Sequence, residues 1–165
     1  MPKSRLAPII CFAAAVAAVP AGLAGAASSR QSPRVSASRT ETLHVYDAPE
    51  RFVLTGPNGK TIKLSSKQPG PGDVLDVYSL EYVGNHSHHA AHSSMSAHLR
   101  CVFGKGQSEP TCESDIAIDG SLLVFHGNTL AGGTGIYAGA TGRVLSNKTI
   151  GKTNDADIVA RITTH

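Results

Sequence analysis

Tryptophan is absent from this chain, and phenylalanine and tyrosine occur only four times each. A core of large rings is therefore excluded. Aliphatic and small side chains must fill the interior, so backbone has to approach backbone closely. Phe12 lies in an N-terminal apolar run, which leaves Phe52, Phe103 and Phe125 for the folded part. Like charges are not clustered either. The formal net charge is +3, and it falls to +1 once Lys3 and Arg5 are set aside with the N-terminal leader. Without a basic block there is no electrostatic case for nucleic acid or for an anionic membrane surface. No long apolar run follows the leader, so no membrane span is expected. Neither an internal repeat nor a helical period is present.

What is present begins with that leader. Lys3 and Arg5 precede the apolar run Ile9 to Val19, which is too short to span a bilayer. Pro20 and Gly22 break it, and Ala24-Gly25-Ala26 supplies small residues for cleavage. Residues 1–27 are read as a signal peptide, and the mature protein is expected to be secreted or otherwise extracytoplasmic. Residues 28–39, rich in Ser, Arg and Pro, are read as a disordered lead-in. Residues 40–165 form the single domain. Cys11 leaves with the leader. Cys101 and Cys112 remain, eleven apart, with Gly104, Gly106 and Pro110 between them. In an oxidising compartment this spacing reads as a disulfide closing a hairpin; the alternative is two free thiols.

From Thr40 onward the pattern is β. Nine candidate strands are read at Thr42–Tyr46, Arg51–Leu54, Thr61–Leu64, Val74–Val83, Ser94–Phe103, Thr111–Ile118, Leu122–Asn128, Gly142–Ile150 and Asp157–Thr163. Turn signals separate them, such as Gly56-Pro57-Asn58-Gly59 and Asp119-Gly120. Met95, Ala97, Leu99 and Cys101 alternate with polar residues, and Cys112, Ser114, Ile116 and Ile118 fall together on one face. Period-two alternation gives each strand one buried face. The expected fold is all-β, an eight-stranded antiparallel closed barrel whose interior holds side chains or one small ligand.

The stretch Gly132-Gly133-Thr134-Gly135-Ile136-Tyr137-Ala138-Gly139-Ala140-Thr141-Gly142 carries almost no side-chain bulk. It is read as a glycine-cornered turn between strands. Pro71-Gly72-Asp73 opens the long strand that ends near Gly84, and Ile116-Ala117-Ile118-Asp119-Gly120-Ser121 follows the cysteine pair. With these three blocks in this order, the chain resembles the allene oxide cyclase-like and dirigent-like barrel superfamily in its exported bacterial form. The resemblance runs from about Val45 to Ile162. It implies an eight-stranded barrel, often a homotrimer, with a pocket at one mouth for a hydrophobic small molecule. Within it Gly132, Gly133, Thr134, Gly135, Tyr137, Gly139 and Gly142 are the fold signature. They shape the barrel rather than touch substrate.

Candidate chemistry lies elsewhere. Asp76 interrupts an apolar strand and shares a face with Tyr78, Leu80 and Tyr82. If that face lines the barrel, a carboxylate with tyrosines forms a polar set in an apolar pocket. Asp47 follows Tyr46, and its place at the end of the first strand resembles that of a pocket aspartate in dirigent barrels. Asp73 reads as the end of a turn. No nucleophile–base pair emerges. The run from Asn85 to His92 departs from the family and places His86, His88, His89 and His92 close together. Such spacing suits Zn²⁺ or Cu²⁺, although no cofactor is otherwise expected.

Two functions stay open. One is a secreted barrel that binds a small hydrophobic ligand and guides its cyclisation or coupling; as an enzyme it would be an allene oxide cyclase-like isomerase. The other is a non-catalytic scaffold with a His-rich loop for metal or partner binding.

Overall fold

A computed structural model of the chain describes residues 38–64 and 68–165. The expected signal peptide at 1–27 and all but the end of the lead-in lie outside the described residues. The elements are β1 (Arg39–Thr55), β2 (Thr61–Ile62), β3 (Val74–Asn85), β4 (His88–His89), β5 (Met95–Val102), β6 (Thr111–Ile118), β7 (Ser121–His126), β8 (Thr129–Gly133), a 3-10 turn (Gly135–Tyr137), β9 (Thr141–Thr149) and β10 (Ala156–Thr164). The strand order is β2-β1-β10-β9-β8-β7-β6-β5-β3-β4, and β1 also pairs with β3. That last pairing closes eight antiparallel strands into a barrel, and the two-residue strands β2 and β4 are appendages to it.

Closure depends on the length of β1. Residues Arg39 to Asp47 pair with β10, and Val45 to Thr55 pair with β3. The two ladders overlap at Val45, Tyr46 and Asp47, where β1 is flanked on both sides. The sequence suggests two strands here because Pro49 interrupts the run. The chain instead passes through as one strand, with a register shift between Pro49 and Arg51. A bulge is where a strand can carry a proline and still keep pairing on either side.

The alternation expected in β5 and β6 is present. Met95 and Cys101 are buried, and Ile118 is buried at the far end of β6. Cys101 and Cys112 stand opposite each other in the ladder and are joined by a disulfide, with Cα atoms 4.1 Å apart. At the start of β3, Asp73 closes a turn as expected: its carboxylate accepts a hydrogen bond from the Gly70 amide at 2.8 Å.

The glycine block is not a simple turn. Thr129 to Gly133 forms β8, paired with β7 and β9. Only the part after Gly133 turns. Gly135 has φ +59°, and a β-carbon there would run into the Ser121 side chain. The same Ser121 hydroxyl accepts a hydrogen bond from the Ile136 amide at 3.2 Å. Gly142 lies against the Arg161 carbonyl of β10, where a β-carbon has no room. Tyr137 buries its ring at this end of the barrel, and its hydroxyl reaches Glu41 at 3.4 Å. It joins Val45, Met95, Ile118, Leu123, Phe125, Leu130, Ala140 and Ile162 in the core cluster.

Candidate ligand-binding site

Phe125 and Tyr137 are the aromatic members of that cluster. Many inward positions are small: Ser79 on β3, Ala97 on β5, Ser114 on β6 and Ala160 on β10 all face the interior. The scarcity of rings has a direct result, because these residues cannot fill an eight-stranded barrel. A cavity of about 380 Å³ remains inside it. Its wall is mostly apolar, built from residues such as Leu43, Met95, Leu99, Ile116, Leu123 and Ile158. Pro110 from the β5–β6 connection and Gly127 and Asn128 from the β7–β8 turn stand at one rim. Tyr137 and the 3-10 turn belong to the opposite end.

Two acids enter this chamber. Asp47 on β1 and Glu81 on β3 are opposite partners in the ladder, so their side chains leave the sheet on the same face. Both line the cavity together with Ser79. Glu81 is only 2% exposed, and its Oε2 has no hydrogen-bond partner. Burial, then the neighbouring Asp47 charge, pushes its carboxyl up to about 8. Glu81 is therefore largely protonated at neutral pH, with a hydroxyl to offer. Asp47 is also raised, first by burial. A hydrogen bond from Ser79 works in the opposite direction, and the charge of Asp155 adds to the rise. Among the described residues no lysine, arginine or histidine lines the chamber, and its Cys112 is held in the disulfide.

Asp47, singled out by the resemblance to dirigent barrels, lines the chamber. Asp76 and Tyr78 do not line the chamber. The inward face of β3 is Val77, Ser79 and Glu81, and Asp76, Tyr78, Leu80 and Tyr82 have the opposite parity. This corrects the expectation that the Asp76 face lines the barrel. Asp76 instead sits in an outer-surface network, 2.9 Å from His98 Nε2 and 3.2 Å from Arg100 Nη1. Tyr78 stacks on His98 with ring centres 4.7 Å apart, and the Arg51 guanidinium lies 4.0 Å above its ring. Glu81 is the chamber residue that sequence reasoning missed. It has the parity of Val77, but only strand pairing, here with Asp47, shows that this parity faces inward.

The His-rich run is a tight hairpin, with Gly84 and Asn85 of β3 paired to His89 and His88 of β4. Asp157 of β10 holds its tip: Oδ1 accepts the His86 amide at 2.7 Å, and Oδ2 lies 2.6 Å from His86 Nδ1. His89 stacks on Tyr46 at 4.8 Å and tilts against Tyr82 at 5.1 Å. His88 and His92 are exposed. Among the described residues no three of His, Cys, Asp or Glu gather as a metal-binding group.

No protein-family model matches the chain, and no curated protein matches it. Among solved structures it is similar to a pyocyanin demethylase, with a TM-score of 0.54 and 16% identity over 74% of this chain and 99% of that one. At that identity the likeness concerns the fold, a barrel. No helix among the described residues is long and apolar enough to cross a membrane. The disulfide is compatible with an extracytoplasmic location.

Proposed function

We propose that the barrel is a binding chamber for one small hydrophobic molecule, oriented by Glu81 and Asp47. The observation that carries this reading is the apolar 380 Å³ cavity with a nearly inaccessible carboxyl group directed into it. An unfilled interior and a buried polar atom without a partner each cost stability. A bound molecule relieves both. A barrel of similar fold, named for demethylating pyocyanin, supports reading the interior as a place for a bound compound.

On a reactive ligand the chamber would steer rather than cut. The described residues of its wall include no histidine, lysine or free thiol, and so supply no activated nucleophile. They supply shape, exclusion of water and one proton donor. Those are the means by which a cyclisation or coupling is guided, through a fixed geometry of the reacting atoms. In this reading the chain is an allene oxide cyclase- or dirigent-like barrel that acts on a hydrophobic molecule outside the cytoplasm.

The test uses N-phenyl-1-naphthylamine, an apolar dye whose amine is scarcely basic and whose emission rises out of water. Saturable binding at one site per barrel is expected. Ala97→Trp, which fills the chamber from β5, should abolish it while the thermal midpoint holds. Absence of binding, or equal binding by the filled variant, would overturn the reading.

A further inference from the structure

We propose that the chamber selects ligands that bear a protonatable nitrogen, received as a cation by the Asp47–Glu81 pair. This rests on the chamber reading above and sharpens it to a chemical class. Its basis is a one-sided charge inventory. Two carboxyl groups face the cavity from adjacent strands, and among the described residues no basic side chain faces it. The Asp155 carboxylate adds a further negative influence on Asp47. Buried acids are ordinarily matched by a cation within the protein. Here the described residues of the wall supply no matching cation, and among them Glu81 Oε2 has no partner.

The three classes of polar head group fare differently in such a wall. A carboxylate ligand would bring a third acid into an apolar space without a counter-charge. An alcohol could exchange hydrogen bonds with Glu81 and Ser79 but would leave the charge of Asp47 unmatched. An amine leaves the net charge of the pair where it was, but it converts the neutral acid to a carboxylate and sets one cation against both acids. It enters as the free base, so no ion crosses the mostly apolar wall. The Glu81 carboxyl proton then passes to the nitrogen lone pair, leaving a carboxylate beside an ammonium, with atoms and charge conserved. The new cation lies between two acids on neighbouring strands, where a charge-assisted hydrogen bond to each is available.

The experiment compares three probes with one ring system: 1-naphthylmethylamine, 1-naphthalenemethanol and 1-naphthoate. Each is titrated calorimetrically into the native protein at pH 7. The amine is expected to bind about tenfold tighter than the alcohol, and the carboxylate about tenfold weaker than it. In the Asp47→Asn/Glu81→Gln double variant the amine-to-alcohol ratio should fall to about one. Equal affinities for amine and alcohol in the native protein, alongside saturable dye binding, would overturn the charge selection and leave the chamber standing. Failure of the dye and of all three probes would remove the chamber and this inference together. A preference for the amine that survives the double variant would also overturn it, because the acids would then not be its source.

Discussion

Glu81 meets Asp47 across the β1–β3 ladder, within the three-residue overlap where β1 is paired on both flanks. Neither acid can leave the interior without breaking the seam that closes the barrel. The folded protein therefore keeps the Glu81 proton up to about pH 8, whereas the unfolded chain releases it near the ordinary 4.5. Between those values the folded state binds more protons, so stability falls as pH rises through this window. Urea unfolding at pH 5 and pH 8.5 should show that loss. Glu81→Gln should be more stable than the native protein at pH 8.5 and show a flatter profile. An unchanged slope in that variant would place the effect elsewhere.

Gly135 combines a left-handed backbone with contact against Ser121. Gly135→Ala is expected to cost about 1–3 kcal/mol, the usual range for backbone strain of this kind. Gly135→Val should abolish soluble expression. Soluble yield and the denaturation midpoint of each variant measure this. A folded valine variant of native stability would contradict the tight turn over Ser121.

Removal of the disulfide should act mainly on the unfolded chain. Cys101 and Cys112 are eleven residues apart, and a loop of that size is worth about 3 kcal/mol in the chain-entropy model. The double alanine variant should lose about that much in urea unfolding. Since Cys112 lines the chamber, dye affinity should shift as well.

Asp157 grips the His-rich hairpin through both carboxylate oxygens. Burial raises its carboxyl, but the His86 side-chain and amide hydrogen bonds, with the charges of His86 and Lys148, together outweigh this and hold it below its ordinary value. Asp157→Asn should release the hairpin tip. Hydrogen exchange at the His86 amide is expected to quicken about tenfold, with core amides unaffected, since only a local opening is made easier. Unchanged exchange would mean that the stacking of His89 on Tyr46 holds the hairpin by itself.

The fold was largely legible because β5 and β6 alternate cleanly, and Thr111–Ile118 is observed with the limits expected for it. Asp47 was singled out through a resemblance to the first dirigent strand, and it lies within β1 with its side chain on the chamber. Glu81 was not singled out, for a physical reason. Both faces of β3 mix polar and apolar residues: one reads Asp76, Tyr78, Leu80, Tyr82 and the other Val77, Ser79, Glu81. Composition does not say which face is inside; pairing to Asp47 and to Met95 decides it. The strand Thr129–Gly133 was hidden by its glycines, which carry no alternation to read. Its pairing comes from backbone, not from side-chain pattern. The unity of β1 was masked by Pro49, because a bulge is a property of two strands together.

The pairing of Arg39 with Thr164 joins residues from opposite ends of the folded chain. As the polypeptide emerges, β1 can zip onto β3 early, but its other flank has no mate until β10 arrives. Until then the sheet has two raw edges, open to neighbouring molecules. Cellular handling of the nascent chain must therefore shield those edges for nearly the whole length of the domain. A stop codon ahead of β10 would yield a sticky ribbon prone to assemble with its own kind, not a smaller vessel.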